Sequence, residues 1–293
     1  MPDHPTTAPH TTRTLTVELS MCGQSALFAA RIGDWTWDVV SRQCGLDIHR
    51  ARTPDGDPTY LAYTYFRIRG SRALPVLGLR LGDEVRVDSQ AYSCGSQSVA
   101  VLHRVTPTAG SDCLYVENLN RWITRARSDG GSGLAGAAPL GFTHDHLPRL
   151  PADRSLRAVP SAARRAGTLL SPAPAASHLA APPFTTTYRI DPARDLNAVG
   201  IVYFASYFAI IDSAVLAFWR HLGRPDHAFL RRRVLDQKLC YLENAAPHAE
   251  LDLTLRLYTL PDEDVLDITL RDRTSGRLLA LSTLDIAHDD PDW

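Results

Sequence analysis

The sequence predicts an α+β chain of two tandem units, each a strand and a buried helix followed by several long antiparallel strands. Three observations predict it. Residues Ile201 to Trp219 are apolar nearly all round, broken by Ser206, Asp212 and Ser213, which marks a helix enclosed by protein rather than a one-faced surface helix. Stretches such as Leu251-Asp-Leu-Thr-Leu-Arg-Leu257 alternate apolar with polar residues, the period of a half-buried strand. The order strand, helix, strands occurs twice, on either side of a stretch rich in Gly, Ala, Pro and Ser.

Residues 1–14 are a polar run of Thr, Pro and His, the composition of a mobile tail. The first unit, 15–124, opens with a strand from Leu15 to Ser20 and a helix from Met21 to Val40 with a break at Gly33. Strand-like runs follow at Thr59 to Arg69, Glu84 to Cys94, Gln97 to Val105 and Leu114 to Asn118, rich in β-branched and aromatic residues and divided by Gly and Pro. Apolar periodicity disappears in 125–183, which includes Ser128-Asp-Gly-Gly-Ser-Gly133 and Ser171-Pro-Ala-Pro-Ala-Ala-Ser177 and reads as a connector. The second unit, 184–293, has a strand at Thr185 to Ile190, the core helix, and runs at Val234 to Asn244, Ala249 to Leu260, Asp264 to Arg271 and Leu278 to Ala287. An antiparallel sheet needs only one buried face, so each sheet can curl around its helix.

A chain of 293 residues with a formal charge of −1 has no basic excess, and it lacks zinc-finger spacing and RNA-binding signatures, so nucleic acid is not an expected partner. Lys238 is the sole lysine. The five cysteines are odd in number and form no Cys-x-x-Cys pair, and Met-Pro-Asp-His-Pro is not a basic and apolar leader, which together predict a cytoplasmic protein with reduced thiols. Cys22 reads as a spectator, with no histidine close in sequence. The core helix approaches a membrane span in length, but Ser206 and Asp212 interrupt it and no cationic flank precedes it. His144-Asp-His146 brackets a carboxylate with two imidazoles, yet two ligands at that spacing need others that the neighbourhood does not offer; a solvated loop and no metal site are expected.

Asn197-Ala-Val-Gly200-Ile-Val-Tyr-Phe-Ala-Ser-Tyr207, followed by Asp212, resembles the helix-opening motif of hot-dog thioesterases of the hydroxybenzoyl-CoA type. In those enzymes a catalytic Asp stands three residues before the glycine; here the position is Asn197, which cannot ionise. The wording Asp-x-Asn-x-x-Gly-x-x-Tyr-Phe-Ala-x-Tyr is more similar to the double-hot-dog acyltransferase/decarboxylases of polyketide biosynthesis, the LnmK-like, leinamycin-type family. Met21-Cys-Gly-Gln-Ser, Ile32-Gly-Asp-Trp-Thr-Trp37 and Pro58-Thr-Tyr-Leu-Ala-Tyr-Thr-Tyr-Phe66 resemble the same family in the first unit. The resemblance implies a double hot-dog, a covalent version of the hot-dog dimer with its two sheets joined edge to edge and both helices on one side.

It also implies a reaction: transfer of a malonyl-type group such as methylmalonyl from coenzyme A to an acyl carrier protein with loss of carbon dioxide. Coenzyme A thioester would be substrate, no cofactor would be tightly bound, and a homodimer is compatible. The family's proposed acyl-accepting tyrosine falls by position on Tyr60, with Tyr63 or Tyr65 as alternatives in another register. A phenol, with a reference pKa of about 10, needs a partner to become a nucleophile, and the sequence shows none. Decarboxylation makes an enolate, whose oxygen needs hydrogen-bond donors rather than a base. Asn197 and the backbone N–H groups around Gly200, at the opening of the core helix, are donors of that kind, with Asp195 and Asn197 as caps; an Asp at 197 would repel both the substrate carboxylate and the enolate. Asn197 as a plain cap, and Tyr60 as a packing aromatic, are the bland alternatives. Gly23, Gln24, Tyr203 and Arg231 are the candidate substrate-binding residues, Arg231 as one of the basic side chains, with Arg220, Arg224, Arg232, Arg233 and Lys238, that could meet phosphates or an acidic carrier. Tyr203 and Tyr207, four apart, also suit packing on the helix. The competing functions are an acyl-CoA or acyl-carrier thioesterase and a non-catalytic protein that binds a carrier-bound intermediate.

Overall fold

The structure is a computed structural model, and it describes residues 10–125, 133–151, 155–170 and 178–288. Its strands are β1 Thr11–Thr16, β2 Thr59–Arg69, β3 Glu84–Ser93, β4 Ser98–Pro107, β5 Leu114–Arg125, β6 Leu134–Gly136, β7 His178–Leu179, β8 Phe184–Arg189, β9 Arg233–Tyr241, β10 Glu250–Thr259, β11 Glu263–Asp272 and β12 Leu278–Ala287. Its α-helices are α1 Ser25–Cys44, α2 Val159–Ala166, α3 Pro192–Asp195, α4 Ser206–His221 and α5 Asp226–Arg231.

All the strands join one sheet, in the order β1-β3-β4-β5-β2-β9-β12-β11-β10, with β8 and β7 paired to β10 and β6 to β5. Counted within each unit, the order is first, third, fourth, fifth, second in both halves. The second strands, β2 and β9, meet in an antiparallel ladder from Tyr65↔Cys240 to Arg69↔Asp236. This is the double hot-dog: two curved sheets made continuous at their shared edge. Helices α1 and α4 lie on the same face and share one apolar core, in which Phe28 and Ile32 of α1, Phe208, Ile211 and Phe218 of α4, and Phe66 and Leu239 of the joined strands are fully buried.

The ladder is tied across the junction by charge. Arg67 of β2 donates to both carboxylate oxygens of Asp236 on β9, at 2.9, 3.1 and 2.6 Å, with Glu117 at 3.7 Å on its other side. On the face away from the core helices, Tyr65, Cys240 and Leu281 are buried beneath Leu156 and Ala163, so the segment carrying α2 roofs the junction.

Several elements differ from the expectation. The first strand is Thr11–Thr16, paired to β3 with Thr14↔Arg86, rather than Leu15 to Ser20; a half-polar edge strand has the composition of a tail. Helix α1 runs unbroken through Gly33 and ends at Gly45, whose φ of 63° suits the left-handed C-cap. Helix α4 starts at Ser206, not Ile201, because the chain before it folds into a small hairpin bridged Leu196↔Val202. The connector region carries β6, α2 and β7, while its Gly- and Ser-rich runs at 126–132 and 171–177, like residues 1–9 of the tail, lie outside the described residues. His144 and His146 are not merely solvated: each donates from Nε2 to a backbone carbonyl, of Gly95 and Gln43 respectively, both at 2.6 Å, and so pins the start of this region to the first unit.

Candidate active site

Strand β2 pairs with β9 only from Tyr65 onward, so Thr59 to Thr64 have β5 on one side and no strand on the other. The two chains diverge there because β9 ends at Tyr241, and Leu242 and Glu243 turn to donate to the carbonyl of Leu279. The gap holds a cavity of about 910 Å³. One wall is the first unit's: Thr59 to Thr64, Gly33, Asp34 and Trp37 of α1, and Arg121, Ile123 and Arg125 of β5. The facing wall is the second unit's: Asn197 to Phe204, Tyr207, and Tyr241 to Pro247.

The Asn197 loop is built by its own side chain. Oδ1 of Asn197 accepts from the N–H groups of Val199 and Ile201 at 3.1 and 3.2 Å, and the N–H of Asn197 donates to the carbonyl of Ile201 at 2.9 Å. Gly200, with φ 73°, supplies the left-handed residue that this turn requires. The backbone N–H groups of Val199 and Ile201 are therefore occupied, which corrects the expectation that they face a ligand from a helix opening. Asn197 lines the cavity, and its Nδ2 group has no hydrogen-bond partner among the described residues. Asp195 does not cap α4 either: it ends α3, and its carboxylate, 1% exposed as a residue, accepts from the N–H of Asp191 at 2.8 Å and from the Tyr188 hydroxyl.

A bulge at Thr64 sorts the three tyrosines of β2. The register shifts between Tyr63 and Tyr65, so Leu61 and Tyr63 face the core helices while Tyr65 points to the opposite face under α2. Tyr65 is not among the cavity-lining residues. Tyr63 lines the cavity, but its hydroxyl donates to the carbonyl of Gly33 at 3.2 Å, and burial, reinforced by Tyr203 and Asp34, holds it far above the usual phenol range. Tyr60 is half-buried, lies beside Ile123 across the ladder, and its hydroxyl has no hydrogen-bond partner among the described residues.

Phe204 closes the inner end, its ring centroid 4.1 Å from that of Tyr63 and 4.7 Å from that of Tyr203. It reaches α1 at Gly33, where an added Cβ would stand 2.5 Å from the Phe204 ring; the glycine is the seat for that ring. Tyr203 precedes α4 rather than riding on it, and burial, with Asp34 adding, pushes its hydroxyl up to about 12, so it stays a protonated donor at neutral pH. Tyr241 donates to the carbonyl of Phe204 at 3.1 Å and locks the loop to the end of β9.

Thus Tyr60, Asn197, Gly200 and Tyr203 line a single cavity, whereas Gly23, Gln24 and Arg231 do not. Gly23 and Gln24 precede α1 as the Asn197 loop precedes α4, so they belong to the position related by the fold's internal repeat. That position is filled. Gly70 and Val76 donate to the carbonyls of Leu235 and Val234, and Asp212 of α4 is taken by Ser25 and by Arg232, both at 2.6 Å. Arg231 sits at the end of α5, and most of its basic neighbours are engaged elsewhere: Arg220 on Asp226, Arg224 near Asp264 and over Trp219, Lys238 near Asp236. Cys22 is also absent from the lining, and burial pushes the Cys44 and Cys240 thiols up to about 11 and about 12. Among the described residues no cluster of three or more His, Cys, Asp and Glu gathers as a metal site, and no helix is long and apolar enough to cross a membrane.

Two features escape a reading of the sequence alone. Asp34 faces the cavity as an exposed carboxylate, although helical spacing against Ile32, Trp35 and Val39 assigns it to a solvent face. Its field reaches Tyr63 and Tyr203. Among the described residues the lining also contains five arginines, Arg50, Arg52, Arg121, Arg125 and Arg277, against the carboxylates Asp34 and Glu243, and these are scattered over the sequence with no pattern to join them.

In comparisons with known proteins, the chain is similar over nearly its whole length to solved hot-dog structures. A protein assigned as an oleoyl thioesterase from Lactobacillus plantarum is 11% identical, with a TM-score of 0.65 over 97% of this chain and 98% of that one. An acyl-ACP thioesterase from Bacteroides thetaiotaomicron is 10% identical, with a TM-score of 0.59 over 94% and 97%. The 12:0-ACP thioesterase from Umbellularia californica is 11% identical, with a TM-score of 0.60 over 94% and 93%. At such identities the likeness is one of fold. No curated protein matches the chain. The model of the LnmK N-terminal Hot Dog Fold domain matches residues 12–172, more than half of the sequence, and the chain therefore belongs to that hot-dog family.

Proposed function

We propose that the protein moves a malonyl-type acyl group, such as methylmalonyl, from coenzyme A to an acyl carrier protein with loss of carbon dioxide. The observation that carries this reading is the convergence of Tyr60, the Asn197 amide and the Tyr203 hydroxyl, from two units, on one cavity. When the bond to the carboxylate breaks, its electron pair moves onto the thioester oxygen as an enolate, and neutral donors held in place stabilise that charge. Asn197 Nδ2 and Tyr203 are such donors, and a proton from water returns to the enolate carbon. Tyr60 is the hydroxyl that accepts the acyl group as the thioester C–S bond breaks, its proton leaving with the coenzyme A thiol, before the carrier thiol takes the acyl group and restores the phenol. Membership of a hot-dog family supports a thioester substrate, and a cytoplasmic setting and a possible homodimer belong to the same proposal.

One observation favours a second reading, thioester hydrolysis: Asp34 supplies in the cavity the carboxylate that position 197 lacks, and it could act as a base toward water. The two are separated by incubating the protein with methylmalonyl-CoA and a phosphopantetheinylated carrier and weighing every product. Carrier bearing the acyl group minus carbon dioxide is expected; an unloaded carrier beside accumulating free acid would instead establish hydrolysis, and Asp34→Asn should then abolish it. Tyr60→Phe is expected to reduce carrier loading to background if the phenol accepts the acyl group, and by about two to three powers of ten if it only donates a hydrogen bond. Full activity in Tyr60→Phe would reject both roles.

A further inference from the structure

We infer that the arginines at the mouth of the cavity form a subsite for the 4′-phosphate of a pantetheine arm, the group common to coenzyme A and a phosphopantetheinylated carrier. The inference rests on reading the cavity as a thioester site. It starts from a local charge imbalance. The chain as a whole carries a formal charge of −1, yet among the described residues five guanidinium groups line this cavity against two carboxylates, with Arg50 also 3.7 Å from Asp47. Glu243 is already committed, to Arg277 at 3.2 Å and to Arg164 at 3.1 Å.

Three of the arginines are held by neutral oxygens. Arg125 donates to the carbonyl of Val199 at 2.6 Å, Arg121 to the side-chain carbonyl of Gln97 at 3.3 Å, and Arg52 to the carbonyl of Gly56 at 3.0 Å. A hydrogen bond to a neutral acceptor fixes a guanidinium without neutralising it, and no carboxylate among the described residues is paired with these three. The backbone makes room for two of them: a Cβ on Gly136 would lie 2.3 Å from the Arg121 guanidinium, and one on Gly200 would lie 3.0 Å from that of Arg125. Arg121 and Arg125 also alternate with Ile123 along β5, whose partners on β2 are Ala62 for Arg121 and Tyr60 for Ile123. Both arginines thus flank Tyr60 diagonally on the face of the sheet opposite the core helices, and both are exposed.

That placement selects phosphate over the acyl carboxylate. The guanidinium groups are exposed, whereas Tyr63 is buried and Tyr203 half-buried, and a phosphate with several acceptor oxygens suits several solvated guanidinium donors. Arg125 has a second function here, since it ties the first unit's β5 to the Asn197 loop of the second.

The test is binding of free ligands by calorimetry, independent of turnover. Wild-type protein should bind 4′-phosphopantetheine about tenfold or more tightly than pantetheine, and the advantage should shrink as salt rises. Arg121→Ala with Arg125→Ala should erase the advantage, with a smaller loss for pantetheine, which senses only the loosened Asn197 loop. Arg121→Ala alone, which spares the contact to Val199, should remove part of it. Equal affinity of the wild type for both ligands, or an equal loss for both in the variants, would overturn the subsite. Acyl N-acetylcysteamine thioesters, which carry no phosphate, test the reaction separately. Their turnover without any phosphate preference removes the subsite and keeps the reaction; arginine-dependent phosphopantetheine binding without turnover of any thioester does the reverse.

Discussion

The oxygen of Asn197 holds its own loop, and its nitrogen has no partner among the described residues, so substitutions there divide structure from chemistry. Asn197→Asp retains an acceptor for the Val199 and Ile201 N–H groups, and its unfolding midpoint should stay near that of the wild type, while the added charge impairs decarboxylation. Asn197→Ala loses both bonds and should cost about 1–2 kcal/mol by denaturant unfolding. Unchanged decarboxylation in Asn197→Asp would reduce the residue to a turn former. Asp285 gives a prediction away from the site. It lies opposite Asp236 in the β9–β12 ladder, and burial, with Asp236 and Glu263 adding, raises its carboxyl to about 6 from an ordinary value near 3.8. The folded state therefore holds this proton more tightly than the unfolded state. Stability falls as pH rises through the interval between those values, and the penalty is complete above the upper one. Asp285→Asn should raise the thermal midpoint more at about pH 7 than at about pH 4; an equal difference at both would discard the assignment.

Among the elements, α1 shows most plainly what periodicity can and cannot say. Its buried positions Phe28, Ile32, Trp35 and Val39 follow helical spacing and are legible from the sequence, but the same spacing makes Gly33 look like a break. The glycine is there for Phe204, a residue of the other unit, and no local signal reports such a contact. Gly33→Ala brings two opposed effects. Helix propensity gains about 1 kcal/mol, and overpacking costs about 1–3 kcal/mol unless the neighbour yields. The neighbour is the far end of a ring bordering the cavity, so it can swing into that space. Little change in the melting midpoint is expected, with a several-fold rise in KM for acyl-CoA; a large destabilisation with unaltered KM would show that the ring is fixed. A similar limit explains the start of α4. Apolar composition is continuous from Ile201, and the hydrogen bonds of Asn197, with the hairpin bridged Leu196↔Val202, stop the helix short of it.

At the scale of the whole molecule, the repeat is a matter of sequence and the difference between its two halves is not. The two units share one core and one ladder, bolted by Arg67 and Asp236, so they should unfold together. Calorimetry should give one transition with equal calorimetric and van't Hoff enthalpies; two resolved transitions would mean that the units are independently stable. The repeat provides two equivalent positions between sheet and helix. One is closed by the chain around Gly70 and Val76 and by the Asp212 contacts, the other stays open where β2 and β9 part.

The sequence by itself determined the two units, the long strands and the Asn-x-x-Gly loop, because side-chain periodicity and turn chemistry are local properties of the chain. Strand β2 was legible end to end at Thr59–Arg69, and β12 at Leu278–Ala287. Tertiary structure alone decided that Tyr60 and Tyr63 meet the cavity and Tyr65 does not, since one bulged residue changes the face of every side chain beyond it. It also decided that Asp34 and the arginines share the cavity with Asn197, because proximity between residues 34, 121 and 197 is made by the joining of two sheets, and no spacing along the chain encodes it.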